Sequence, residues 1–339
     1  MSIQTELQST IEAMVQKGKG ILAADESNPT IAKRFKPIGV ESTEESRRAW
    51  RNLLLATPGL GKHISGIILF EETLAQKADD GSPLPQLAQK NGIVPGIKVD
   101  KGTIPLVNSE GDLITQGLDG LAERLKVYKE QGARFAKWRE VYPVSKHNPK
   151  PLAVEANAEV LARYAAICQS VGIVPIVEPE VLIDGDHTIE RCYDVIEKVQ
   201  QAVYRALQRY RVTLEHTILK PSMVTPGKES GAKAGPHEVA EWTVRVLRRS
   251  VPAAVPSINF LSGGQTDEEA TANLNAMNLM FPGQPWELSF SYGRALQHAA
   301  LHAWQGKRDN LAAAQAVLLK RARLNGEARY GRYTAEMEA

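Results

Sequence analysis

Cysteine is nearly absent from this sequence: Cys168 and Cys192 are the only two in 339 residues. Each lies in a stretch of helical periodicity, so the chain predicts reduced thiols in a reducing compartment and no disulfide framework. No charge sign predominates either, with 41 Lys and Arg against 39 Asp and Glu. That balance excludes the overall basic field expected of a nucleic-acid or anionic-membrane binder, so any anion site has to be local. There is no long hydrophobic run. The longest, Ile64 to Phe70, is interrupted by Gly66 and is far too short to cross a bilayer. The N-terminus has acidic residues early and lacks a basic region leading into an apolar one, so it reads as a helix with a stripe at Leu7, Ile11, Met14 and Val15, not as a signal peptide. The expectation is a soluble, cytoplasmic protein.

What is present is an ordinary globular composition, 43% hydrophobic and 24% charged, able to bury a large core. Eight short apolar runs are separated by segments of helical pattern: residues 20–25, 64–70, 94–100, 133–139, 173–180, 216–223, 257–264 and 287–293. Alternation of this kind predicts βα units and a parallel sheet, and eight units close a barrel. The predicted fold class is therefore α/β, a single (β/α)8 TIM barrel spanning 1–339. An additional N-terminal helix precedes it, and a polar, flexible C-terminal tail occupies about 324–339. Polar residues near the strand ends recur steadily: Lys98, Lys137, Glu178, Lys220 and Ser262 follow one another at intervals of 39, 41, 42 and 42. Each interval is one βα unit, so these residues should converge on the carboxyl face, where barrel active sites sit.

Lys220 is the most informative position, because a lysine within an apolar strand is rarely buried without a partner or a task. The plain alternative is a strand-end lysine reaching solvent. Lys137 and Glu178 in matching places on the two preceding segments favour a task. A nucleophilic lysine needs a neutral amine, which desolvation and a neighbouring ammonium promote, and Lys137 could supply that charge. Glu178 suits the proton transfers of imine formation, the alternative being simple charge balance. Glu180 points to the same face if the strand survives Pro179, and its role is left open. Asp25 could take a proton from a substrate hydroxyl; taken alone, it reads better as a helix cap.

Two segments look built for phosphate. Leu261–Gly264, with Ser262, Gly263 and Gly264, and Ser291–Arg294, with Ser291, Gly293 and Arg294, follow the seventh and eighth strands, where barrels often bind phosphate through backbone N–H groups. Arg294 adds a bidentate partner. Lys98 with Ser27 and Thr30 forms a second candidate spot, unless Lys98 and Lys101 are solvated loop charges. Arg139 is placed with the substrate-binding candidates. Two such spots on opposite sides of a lysine suggest a bisphosphorylated, chain-like substrate.

The motifs GILAADES, GIKVDKG, FAKWR, VPIVEPE, ILKPSMV, NFLSGGQ and FSYGRALQ, in that order from about Ile11 to Arg323, resemble those of class I fructose-1,6-bisphosphate aldolases. The resemblance implies reversible cleavage of fructose 1,6-bisphosphate in glycolysis and gluconeogenesis, without a metal or other cofactor. It implies Lys220 as the Schiff-base lysine, Glu178 and Lys137 as its proton-transfer partners, and Asp25 as the acid/base at the C4 hydroxyl. Ser262, Gly263 and Arg294 would hold the C1 phosphate, with Ser27, Thr30 and Lys98 near the C6 phosphate. A homotetramer is common in the family. Two departures stand out: Asn28-Pro29-Thr30 where a small pair before a serine is expected, and an end in TAEMEA where many relatives end in tyrosine. Tyr330 and Tyr333 do not match that terminal position.

The rivals are a different phosphosugar lyase, including a zinc aldolase, and a binding protein that keeps the pocket without turnover. Asp184, Asp186 and His187 tempt a metal reading, but a polar loop capping the next helix explains them better.

Overall fold

Apolar β-branched runs bounded by glycine and proline become strands because their side chains fill both faces of a buried parallel sheet. The computed structural model, which describes residues 2–339, contains ten of them. They are β1 (Gly20–Ala24), β2 (Ile64–Leu69), β3 (Val94–Lys98), β4 (Thr103–Pro105), β5 (Leu113–Thr115), β6 (Phe135–Tyr142), β7 (Val174–Val181), β8 (Ile218–Leu219), β9 (Ser257–Phe260) and β10 (Glu287–Tyr292). All but β4 and β5 pair in parallel into one closed barrel, with β1 hydrogen-bonded to both β2 and β10. Strands β4 and β5 form an antiparallel hairpin outside it, an element the sequence reading did not anticipate.

Alternation along each strand sorts side chains between two cores. Inside the barrel, Ile21, Ile68, Phe135, Val174, Ile176 and Ile218 pack together, and Leu7, Ile11 and Met14 of the helix Ile3–Met14 join them. That helix closes the amino end of the barrel, as its apolar stripe predicts. Close packing at this level leaves room for no more than glycine at Gly96, where a Cβ would lie 2.3 Å from the Phe135 ring. The outer layer, containing Ala136, Trp138 and Tyr142, packs against the surrounding helices.

Three boundaries differ from the sequence reading. The run 216–223 contributes only Ile218 and Leu219 to the sheet, since residues 214–216 turn as a short 3-10 helix. Strand β7 continues through Pro179 to Val181. The amide of Lys220 donates to the Val177 carbonyl, so Val177 and Pro179, two residues apart, direct their backbone groups toward β8. Strand β8 has ended by then, so the missing N–H of Pro179 leaves no strand partner unsatisfied. The expected tail also starts later than Leu324, because the helix Leu311–Ala328 runs past it with Leu324, Asn325, Gly326 and Ala328 buried. Beyond that helix, Arg329 is buried and donates to carbonyls of Gln16 and Lys19 and to Glu287. Arg321 pairs with Glu338. Polar residues that suggest a solvated tail are here internal partners.

Glu140, on the outer face of β6, is wholly buried between Trp138, whose indole N–H donates to it at 2.8 Å, and the Thr115 amide at 3.1 Å. Both donors are neutral, and burial pushes its carboxyl up from 4.5 to about 8. A group that holds its proton more tightly when folded contributes stability that is complete below its unfolded pKa and is lost as pH rises through the folded one. Relative to Glu140→Gln, the native chain should lose about 1.4 kcal/mol of unfolding free energy per pH unit between about pH 5 and pH 8. Urea unfolding of both proteins over that range checks this; parallel pH dependences would contradict it.

Candidate active site

Strand ends in a parallel barrel share one face, and there the unit-spaced residues meet. Glu178 lies between two lysines, its Oε1 3.0 Å from Lys220 Nζ and its Oε2 3.2 Å from Lys137 Nζ. Asp25, just beyond β1, approaches Lys137 Nζ from the other side at 2.8 Å. It is engaged there and not as a cap; Ser27 holds the N-cap position of the following helix. Lys137, Glu178 and Lys220 are each no more than 4% exposed. All four residues line a cavity of about 420 Å³ that opens at the carboxyl face. A larger groove of about 770 Å³ runs between the loop containing Lys228 and the helix Asp267–Met280, and it contains none of them.

Burial alone would neutralise such charges, so their partners decide the outcome. For Lys137, burial lowers the pKa, but Asp25, Glu178 and Asp100 outweigh it and hold the ammonium well above its ordinary value. For Asp25, burial pushes upward, while Lys137 and then Lys220 pull harder and keep the carboxylate well below its usual range. The site therefore contains a fixed ammonium and a fixed carboxylate beside a second lysine.

The phosphate candidates gather at the same mouth. Ser27, Thr30, Lys98, Arg139, Ser262, Gly263, Ser291, Gly293 and Arg294 all line the cavity; Gly264 faces the larger groove. Gly263 has φ +54°, a left-handed conformation that favours glycine. Arg294 opens the helix Arg294–Trp304 and donates to the Gln265 carbonyl, tying that helix N-terminus to the loop after β9. The buried Ser291 hydroxyl has no protein partner. Donors converge here as an anion requires. On the opposite rim, Ser27 and Thr30 hydroxyls are 3.0 Å apart at the start of the helix Asn28–Phe35, which Pro29 begins without disruption. Lys98 is no free loop charge, since it pairs with Asp100 at 2.7 Å.

Two lining residues, Asp100 and Glu26, escaped the sequence reading, and the role of a third, Glu180, was left open. Asp100, two residues beyond Lys98, lies 4.0 Å from Lys137. Glu26 is buried against Arg34 and, at 2.7 Å, Arg51. Glu180 pairs with Arg139. The alternation Lys98–Asp100 and Glu178–Glu180 was the available signal. Asp184, Asp186 and His187 join no group of three or more potential metal ligands among the described residues, and Thr188 caps the next helix by accepting from the Arg191 amide. Neither C-terminal tyrosine reaches the cavity: Tyr333 lines the larger groove, and Tyr330 packs on Gly18, just before β1 at the amino end of the barrel.

If Arg294 holds a phosphate, Arg294→Ala should weaken substrate binding by about 1.5–3 kcal/mol, ten- to a hundredfold in affinity. Steady-state kinetics check this, and unchanged KM and turnover would remove Arg294 from the site.

The family model for class-I fructose-bisphosphate aldolase, of the glycolytic type, matches residues 6–339. A fructose-bisphosphate aldolase of Drosophila melanogaster is 56% identical over 334 residues, covering 98% of this chain and 92% of that one. A cytoplasmic isozyme from Spinacia oleracea is 56% identical over 328 residues, 97% and 92% of the two chains. Among solved structures, the Plasmodium falciparum aldolase, in complex with TRAP and a small-molecule inhibitor, superposes with a TM-score of 0.96 at 53% identity, covering 98% of this chain and 96% of that one. Sequence, fold and the charged cluster agree: the chain belongs to the class I fructose-bisphosphate aldolase family.

Proposed function

We propose that the chain catalyses the reversible cleavage of fructose 1,6-bisphosphate to dihydroxyacetone phosphate and glyceraldehyde 3-phosphate through an imine on Lys220. The observation that carries this reading is Glu178, one carboxylate placed within 3.0 Å and 3.2 Å of two buried lysines. Lys220 passes its ammonium proton to Glu178, and the neutral Nζ adds to the C2 carbonyl. Glu178 protonates the departing hydroxyl of the carbinolamine, water leaves, and a protonated imine forms. Asp25, held ionised by Lys137, accepts the C4 hydroxyl proton as the C3–C4 bond breaks, and the electron pair passes into the iminium to give an enamine. Glyceraldehyde 3-phosphate departs, C3 takes a proton, and water hydrolyses the imine. Since neither Tyr330 nor Tyr333 lines the cavity, a barrel residue or water supplies the C3 proton. Class I chemistry requires no metal, because the iminium is the electron sink.

The loops after β9 and β10 support a C1-phosphate site, and Ser27, Thr30 and Lys98 a C6-phosphate site. Exposed Ile104 and Val107, in and after β4, support assembly into a homo-oligomer, read as a tetramer. The cytoplasmic isozyme among the relatives supports a cytoplasmic location; among the described residues no helix is long and apolar enough to cross a membrane.

Borohydride reduction with dihydroxyacetone phosphate, followed by peptide mapping, tests the mechanism. The expected result is irreversible inactivation with the adduct on Lys220, and full activity in EDTA. An adduct on another lysine, or activity that EDTA removes, overturns the reading.

A further inference from the structure

The helix Arg294–Trp304 carries a feature that the aldol reaction does not use. His298 and His302 stand four residues apart, one turn of helix, and project from the same face. Both side chains are exposed, and their rings already meet, with centroids 4.5 Å apart at 61°. Among the described residues, no hydrogen bond or ion pair engages either ring. We propose that His298 and His302 form a two-imidazole chelate for a borderline divalent transition metal, of the class Cu2+, Ni2+ or Zn2+.

Ligand type sets this class, since imidazole nitrogen suits these ions whereas Mg2+ and Ca2+ require oxygen. The backbone beneath the pair is fixed. Trp304 packs on Trp50 and Phe35 at centroid distances of 5.2 and 5.8 Å, and Leu296, Ala300 and Leu301 are buried. Chelation thus orders two side chains and no main chain, which keeps the second imidazole at high effective concentration once the first has bound. Two protein ligands leave the remaining positions to water, so this is an open, exchangeable site and not a closed structural one. Neither histidine lines the catalytic cavity, although Arg294 lies one turn before His298 on the same helix.

The test is calorimetric titration of the full chain with CuCl2 in a non-chelating buffer, comparing the native protein with His298→Ala, His302→Ala and the double variant. The native chain should show a saturable site of one Cu2+ per chain, with quenching of tryptophan fluorescence. Each single variant should bind about tenfold or more weakly, and the double variant should lose the site, because the chelate needs both rings. Ni2+ should raise the thermal midpoint of the native chain and leave that of the double variant unchanged. Both positions are exposed, so all variants should fold and keep native turnover, which excludes misfolding as the cause of lost binding. Equal Cu2+ affinity and stoichiometry in native and double-variant chains, or no saturable binding by the native chain, overturns the proposal.

Discussion

Replacing Lys220 by methionine should lower turnover by about 10⁴-fold or more, on the scale by which loss of a covalent nucleophile slows an enzyme. That factor corresponds to about 5 kcal/mol of transition-state stabilisation. The fold should survive. Methionine nearly preserves the volume, and Glu178 keeps Lys137 at 3.2 Å as a partner, so no buried carboxylate is abandoned. Binding should largely survive as well, because the proposed phosphate donors of the β9 and β10 loops are untouched. Dihydroxyacetone phosphate should therefore bind within about tenfold of its native affinity, while borohydride fixes none of it to the protein. Turnover within tenfold of native would show that the amine of Lys220 is not the nucleophile.

Lys137→Met should be the more damaging change to the fold. The ammonium is met by Asp25 at 2.8 Å, Glu178 at 3.2 Å and Asp100 at 4.0 Å, all from within the barrel mouth. Removing one partner of a buried ion pair typically costs about 3–5 kcal/mol, because the other charge is left in a poor solvent. Asp25 fixes the sign of the pH dependence. In the native chain its carboxyl is held below 3.8, so its contribution is present above that pH and is lost as pH falls through the folded value. Without Lys137 that contribution disappears, and burial pushes Asp25 above 3.8, so the variant bears the cost of a buried carboxylate at pH 7 and is relieved of it as the group protonates toward pH 4. The stability gap between native and variant should thus be widest near pH 7 and narrow toward pH 4. Turnover should fall by at least about a hundredfold through the displaced acid/base groups. Urea unfolding at both pH values is the measurement; coincident midpoints at pH 7 would show that Lys137 does not hold the cluster together.

Much of this arrangement is legible in the sequence because a barrel converts even spacing into convergence. Lys137, Glu178 and Lys220 recur at one βα unit and fall on one face of the barrel. Lys220 in particular stands out against an apolar strand. What escaped depends on closure. Asp100 becomes a partner of Lys137 only because β3 and β6 are neighbours, with Lys98 opposite Lys137, a pairing that the intervening β4–β5 hairpin conceals in the sequence. The choice of Lys137 by Asp25 over a helix cap likewise depends on the strand order around the barrel. Glu140 was invisible for another reason: it faces the buried layer between barrel and helices, where a glutamate is rarely found, and one of the two donors that hold it is an amide of the β4–β5 hairpin. Residues after Leu324 mislead because Arg329 and Glu338 have the composition of a solvated tail, although carbonyls enclose the first and Arg321 pairs with the second.

The N-terminal helix has a consequence for the order of events. With Leu7, Ile11 and Met14 packed beneath Phe135 and Val174, the amino end of the barrel is plugged, and the cavity opens at the end that carries the proposed phosphate loops. The water expelled when the imine forms and the water needed to break it must use the same opening as the sugar. If Lys220 carries the imine, glyceraldehyde 3-phosphate in that mouth would stand between it and the hydrolytic water. On the proposed mechanism the aldehyde should therefore leave before hydrolysis, and the covalent intermediate should be shielded for as long as its co-product blocks the entrance.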